Sequence, residues 1–319
     1  MAWVYLDKGQ PEKLEVIYAE TTCGQPQVQL IWAPVNNKPE PAAITAVKNA
    51  DGVIAVAGIT SRLESEESTV EQPGFFHGDR TNLKMPERQE ALVRAVAATG
   101  KPLVVVLMNG GALGVDWEKA HVSAILQAWY PGEEGDTAIA ETLSGKNNPA
   151  GRLPVTFYRD VHQLPLFPTI RCKVAPNAIL KGSRFWPFGC GLSYTTFKYS
   201  NLTLPNAPID AGDPLNVSVT VTNTGKIAGD EVAEPYLKFP DVPGTPIHAL
   251  RGFQRIHRAA GASQIVKFDL KRHDLSMVSE AHDIIIAQGK YTVSVGGGQP
   301  GAPFVSGHFE MNGPIMLPE

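Results

Sequence analysis

Two textures divide the chain. Up to about residue 190, short apolar runs alternate with helix-period stretches; from about residue 195 onward the pattern is strands and turns. In the first texture, an apolar-periodic helix is predicted near Ala42 to Ala50, and Asp51-Gly52 then turns into the apolar run Val53–Gly58. Apolar runs with β-branched members and flanking helices read as buried parallel strands, and Leu103–Met108 and Ala124–Trp129 have the same character. Between them Pro86 opens a helix in which Leu92, Ala95, Val96 and Thr99 follow i, i+3, i+4, i+7, with Gly100 as its stop. Thr137 to Leu143 reads as a further helix ended by Ser144-Gly145, and Leu153–Tyr158 as a fourth strand. Such strand–helix alternation predicts an α/β layer with a mainly parallel sheet. Ahead of it, Lys13–Tyr18 and Gln27–Trp32 alternate with period two and predict a β-hairpin. In the second texture, runs at Leu215–Asn223, Glu231–Phe239, Ile247–Arg255, Gln264–Leu270, His282–Ala287 and Tyr291–Val295 are spaced for a β-sandwich of about seven strands.

Composition narrows the function classes. With 319 residues, 43% of them apolar, the chain is long enough for about two domains that each bury a core. A formal net charge of −4 removes the basic excess that nucleic acid requires. No apolar run approaches the ~20 residues that span a bilayer, and the first residues show no basic and apolar leader. The three cysteines form neither a zinc pattern nor a disulfide framework, and the histidines fall at no metal-ligand spacing. No phosphate loop or Gly-x-Ser-x-Gly elbow is present, so neither metal nor cofactor is expected. Asn201-Leu202-Thr203 and Asn216-Val217-Ser218 match the glycosylation sequon, a pattern common by chance.

In open α/β sheets, ligands sit outside the carboxyl ends of the strands. The loop after Val53–Gly58 holds four glutamates in the eight positions from Glu64 to Glu71 and runs on to Gly78-Asp79-Arg80-Thr81. A carboxyl there is either a general acid/base or part of a solvated acidic loop. Asn109-Gly110-Gly111 either lets backbone donors approach a ligand or simply turns the chain. Glu133, in Tyr130-Pro131-Gly132-Glu133-Glu134-Gly135, either presents a carboxylate to a sugar or complements the dipole of the following helix.

Three motifs carry a family resemblance. Ala128-Trp129-Tyr130-Pro131-Gly132-Glu133-Glu134-Gly135, Asn148 through Tyr158 (NPAGRLPVTFY) and Pro187 through Phe197 (PFGCGLSYTTF) resemble, in order and spacing, the C-terminal half of family 3 glycoside hydrolases. Leu215 through Gly296, with Val221-Thr222-Asn223-Thr224-Gly225 and Leu250-Arg251-Gly252-Phe253, is similar to their fibronectin type III-like domain. The opening hairpin, with Tyr5-Leu6-Asp7-Lys8-Gly9 and Val28–Trp32, resembles the tail of a PA14 insertion. The resemblance implies a PA14-like end over residues 1–34, a partial α/β domain over 35–194 and a fibronectin-like β-sandwich over 195–319. It departs from the usual pattern at Cys190, where Tyr is usual, and across Arg171 to Ala178, where relatives carry a Tyr/Arg-rich stretch.

What the resemblance implies is a retaining, exo-acting β-xylosidase or β-glucosidase acting on β-linked oligosaccharides or aryl glycosides, secreted or periplasmic in the parent enzyme. Two carboxyls roughly 5–5.5 Å apart do this chemistry. In the family the nucleophilic aspartate belongs to an N-terminal barrel, which this chain lacks and which would be its partner. The acid/base glutamate comes from a loop that aligns with Leu63-Glu64-Ser65-Glu66-Glu67, which points to Glu66, with Glu67 and Glu64 as alternatives. Arg62, Asp79, Arg80 and Glu133 are expected near substrate. The competing expectation is a non-catalytic module for carbohydrate binding or protein association.

Overall fold

A computed structural model describes residues 38–64, 72–77, 79–164, 185–243, 245–301 and 303–318. The expected hairpin at Lys13–Tyr18 and Gln27–Trp32 lies outside them. The chain divides into two compact units, Met1–Met108 with Glu118–Gln127, and Asn109–Trp117 with Ala128–Glu319.

The first unit runs α1 (Pro41–Lys48), β1 (Val53–Gly58), a small hairpin of β2 (Phe75–Phe76) and β3 (Asp79–Arg80), α2 (Glu87–Ala97), β4 (Leu103–Met108), α3 (Asp116–His121, which straddles the division) and β5 (Ala124–Gln127). The strands pair parallel in the order β1-β4-β5, with Val53 opposite Leu103 and Val104 opposite Ala124. β4 is apolar on both faces because it is the central strand, and Val105, Val106 and Leu107 are fully buried. β1 departs from the expected burial: it forms one edge, and Ile54 and Val56 are 58% and 64% exposed. In α2 the face turned inward carries Val93 and Val96, while Leu92 lies outward, one position from the stripe that the apolar spacing predicts.

In the second unit, after the segment Asn109–Trp117, comes α4 (Gly135–Ser144), ended by Gly145 in the left-handed region (φ 78°), as the Ser-Gly pair predicts. A short turn of 3₁₀ helix at Val161–Gln163 follows. The strands are β6 (Phe197–Thr203), β7 (Ile209–Asp210), β8 (Leu215–Asn223), β9 (Gly229–Lys238), β10 (Ala249–Leu250) and β11 (Gln254–Arg258). Then come β12 (Ser263–Leu270), β13 (Met277–Val278), β14 (Ile284–Ile286), β15 (Gly289–Gly296), β16 (Phe304–Asn312) and β17 (Ile315–Met316). One sheet is β12-β8-β6; the larger is β10-β9-β15-β16-β7, with β11 also on β9; β13-β14-β17 form a third. β8 shows why the sandwich forms: Leu215, Val217, Val219 and Val221 alternate inward with polar residues outward. They meet Leu237, Val293, Val295 and Phe309 of the larger sheet in one core. Tyr291 stacks on Phe309 at 5.0 Å, and its hydroxyl donates to the Ala287 carbonyl at 2.9 Å. Burial raises its pKa to about 12.

Two of the recognisable motifs are built into this unit as a joint. Asn148 accepts from the Ser193 hydroxyl and the Tyr194 N–H through Oδ1. Arg152 donates to the Gly297 carbonyl and pairs with the buried Glu231 at 2.5 Å. Asn223 is fully buried and meets all its hydrogen-bonding capacity. Its Oδ1 accepts from Thr195 and the Gly225 N–H, and its Nδ2 donates to the carbonyls of Ile227 and Arg258. Side chains approach the backbone so closely that a Cβ on Gly229 would lie 2.0 Å from the Asn148 amide, and one on Gly189 would lie 2.7 Å from a Glu234 oxygen. Glu234 is buried, its Oε2 accepting from the Tyr236 hydroxyl at 2.6 Å. Burial raises its pKa, outweighing that hydrogen bond and the charge of Arg152.

The expected fourth strand at Leu153–Tyr158 does not form. Pro154 has no N–H to give a ladder, and Leu153 bonds instead to the carbonyl of Cys190 and the N–H of Gly189. Only a single bridge, Phe157 to Trp186, remains. The Cys190 contribution to this pairing is made by its backbone, which does not depend on the side chain. The expected third strand stops at Gln127, because Trp129 takes a left-handed conformation (φ 57°). The run Ile247–Arg255 divides into β10 and β11 where the Arg251 N–H turns to the Pro235 carbonyl. β6 and β16 are additions to the expected strands. A register shift between Ser200 and Thr203 interrupts the alternation of β6, whereas β16 alternates throughout but has a glycine, Gly307, at one inward position.

Arg152→Met leaves the buried Glu231 without its partner. We expect this variant to lose about 3–5 kcal/mol, and Arg152→Met combined with Glu231→Leu to recover most of it; urea denaturation of the variants measures both. The raised pKa of Glu234 means that its contribution is present below its ordinary value of 4.5 and is lost as pH rises through the folded-state value. Glu234→Gln, always neutral, should therefore gain in melting temperature over the native chain as pH rises from 4.5. Parallel melting curves across that range would contradict the assignment.

Candidate active site

The acidic loop leaves the carboxyl end of β1 from a tightly held root. Gly58 takes φ +143°, and a Cβ there would lie 1.9 Å from the Met108 carbonyl oxygen. The ends of β1 and β4 are thus pressed together at a residue that must be glycine. The next residue, Ile59, is buried and donates its N–H to that same Met108 carbonyl at 3.1 Å. From α2, Gln89 reaches the strand end: Oε1 accepts from the Gly58 N–H at 2.7 Å and Nε2 donates to the Gly58 carbonyl at 2.9 Å. A turn then closes on the Thr60 carbonyl, which accepts from the N–H groups of Leu63 and Glu64.

Of the residues singled out from the sequence, Glu64 and Arg80 are brought together. Their charged groups lie 4.0 Å apart, both largely shielded from solvent. Burial lowers the pKa of Arg80, and the charge of Glu64 opposes this. The pair links the two sides of segment 65–71, because Glu64 precedes it and Arg80 lies on the hairpin that follows. Arg62 is exposed in the turn, and Asp79 is exposed on β3. Glu66 and Glu67 lie outside the described residues. Glu133 belongs to the second unit, where it is exposed in the turn before α4. Helix α4 starts after Glu134, which makes no side-chain cap.

Two features of these loops escape sequence reasoning. Gln89 sits in a helix where nothing in the apolar pattern separates a structural amide from a solvated one. Trp129 holds a conformation unfavourable for a bulky side chain. It is kept there by an edge-to-face chain, Trp129 on Phe157 at 6.2 Å and Phe157 on Trp186 at 5.7 Å. The loop that carries Glu133 starts from this aromatic pillar. The Asn109-Gly110-Gly111 turn closes on itself, with the buried Asn109 amide donating to the Gly111 carbonyl.

Residues 9–194 match the glycosyl hydrolase family 3 C-terminal domain. The chain belongs to glycosyl hydrolase family 3. Residues 231–299 match a fibronectin type III-like domain, in keeping with the sandwich. Among family 3 relatives, a β-xylosidase of Formosa agariphila is 38% identical over 267 residues, covering 80% of this chain and 35% of that protein. A protein named periplasmic β-glucosidase from Salmonella typhimurium is 36% identical, covering 80% of this chain and 34% of its own length. The β-glucosidase of Listeria innocua, solved with glucose, superposes with a TM-score of 0.72 at 28% identity, over 85% of this chain and 38% of that one. The chain thus spans about a third of the curated relatives it matches. Among the described residues no helix is long and apolar enough to cross a membrane.

The close approach at the loop root generates a direct expectation. Gly58→Ala must displace the end of β4 or abandon the left-handed backbone, so urea denaturation should show a loss of about 3 kcal/mol. An unchanged midpoint would mean that β1 and β4 do not converge there.

Proposed function

We propose that this chain is the C-terminal part of a retaining, exo-acting β-glycosidase, a β-xylosidase or β-glucosidase that removes terminal sugars from β-linked oligosaccharides. In this reading Glu66 is the general acid/base. It protonates the departing glycosidic oxygen and then takes a proton from the attacking water. The nucleophilic aspartate comes from an N-terminal barrel, the partner without which the chain is inactive. Glu67 is the alternative acid/base; Glu64 acts as a strut, since its neighbour is Arg80. Arg62, Asp79, Arg80 and Glu133 are assigned to the surroundings of the substrate.

The observation that carries this reading is the alignment of one chain, across most of its length, with about a third of β-xylosidases and β-glucosidases. It is supported by an acidic loop launched from a rigid strand end, where α/β proteins present their chemistry. We further assign residues 1–34 to the end of a PA14-like insertion, 35–194 to the partial α/β domain and 195–319 to the fibronectin-like domain, and we place the parent enzyme outside the cytoplasm. The name of the Salmonella relative supports that placement.

The purified chain should hydrolyse aryl β-glycosides no faster than buffer, and joining it to its barrel should restore turnover. In the complete enzyme, Glu66→Gln should lower kcat by about 10²–10⁴-fold. Azide should rescue Glu66→Ala, because a small anion can attack where the base is missing. A Glu66→Gln enzyme at the native rate would end the assignment.

A further inference from the structure

We infer that Gln89 is a positioning residue for the general acid/base, acting through the backbone at the root of its loop. The inference rests on the acid/base reading above; its geometry does not. The Gln89 side-chain amide holds both backbone groups of Gly58, accepting at 2.7 Å and donating at 2.9 Å. Gly58 is the last residue of β1, and its backbone conformation (φ +143°) sets the direction in which the chain departs. A backbone freed from hydrogen bonds at a left-handed glycine has a wide choice of conformations. The amide removes that choice at the pivot. Downstream of it the chain is tied by the Ile59 N–H to Met108, by the turn that closes on Thr60 and by the Glu64–Arg80 pair.

Gln89 is well suited to this task. Its helix presents Val93 and Val96 to the core, so the amide is carried on an element anchored independently of the loop. Pairing with β4 leaves these groups to the amide: the next residue, Ile59, gives its N–H to Met108, whereas the N–H and C=O of Gly58 go to Gln89. A carboxamide supplies one acceptor and one donor from a single rigid plane, matching the N–H and C=O that Gly58 presents. A glutamate reproduces this pairing only while protonated. Ionised, it sets an oxygen against the Gly58 carbonyl.

That difference supplies the test. In this chain, Gln89→Met should speed hydrogen exchange at the Gly58, Ile59 and Glu64 amides at least tenfold. In the complete enzyme it should lower kcat/KM about ten- to a hundredfold for a disaccharide, whose leaving group needs the proton. The loss should be markedly smaller for a dinitrophenyl glycoside, whose leaving group does not. Gln89→Glu should approach native activity, as a ratio at each pH, when the pH is lowered toward 5, whereas Gln89→Met should show a flat ratio. Unchanged exchange overturns the clamp and leaves the acid/base reading standing. Faster exchange with equal losses on both substrates, or with no loss, overturns the positioning role, since general destabilisation does not discriminate between leaving groups. Native activity of Glu66→Gln overturns the acid/base reading and takes the positioning role with it, even where the clamp is seen to loosen.

Discussion

The ion pair between Arg152 and Glu231 organises the second unit. Both groups are almost completely shielded, and the guanidinium also satisfies carbonyls of Ala150, Gly151 and Gly297. A buried charge tolerates little displacement of its partner, because separation exposes each to a medium that solvates it poorly. The pair therefore sets the position of Gly151-Arg152-Leu153 against β9 and the end of β15. Around it the remaining contacts become possible: Leu153 with Cys190, Gly189 under Glu234, Asn148 with Ser193, and Thr195 with Asn223. Residues of the first texture, Gly151 to Leu153, and of the second, β9 and the end of β15, are thereby held together within the second unit.

The first unit depends on a different kind of constraint. Its parallel sheet brings two strand ends closer than any side chain permits, at Gly58 and Met108. Steric exclusion there and an amide clamp from α2 give the acidic loop a defined origin. Glu64 and Arg80 then brace its flanks.

The legibility of the sequence follows the same division. Strands with clean periodicity, such as Leu103–Met108 and Leu215–Asn223, appear at their expected bounds, because burial on one or both faces dictates their composition. Where polar backbone partners or proline decide the path, periodicity misleads. Leu153–Tyr158 has strand composition but gives its hydrogen bonds to a neighbouring loop, and Trp129 ends a strand through a conformation that no apolar pattern encodes. Among the candidate site residues, the pairing of Glu64 with Arg80 depends on a hairpin of two-residue strands, too short to leave a pattern. Gln89 is invisible for a related reason: hydrogen bonding to a backbone leaves no mark on side-chain spacing.

The crowding around Gly229 and Gly189 has an evolutionary corollary. Adding even a methyl group at either point collides with the Asn148 amide or with Glu234 and Gly298. The packing at these two positions constrains the chain independently of the acidic loop, which lies in the other unit. A glycine at either position therefore reports an intact joint within the second unit, and would do so in a chain without any chemistry.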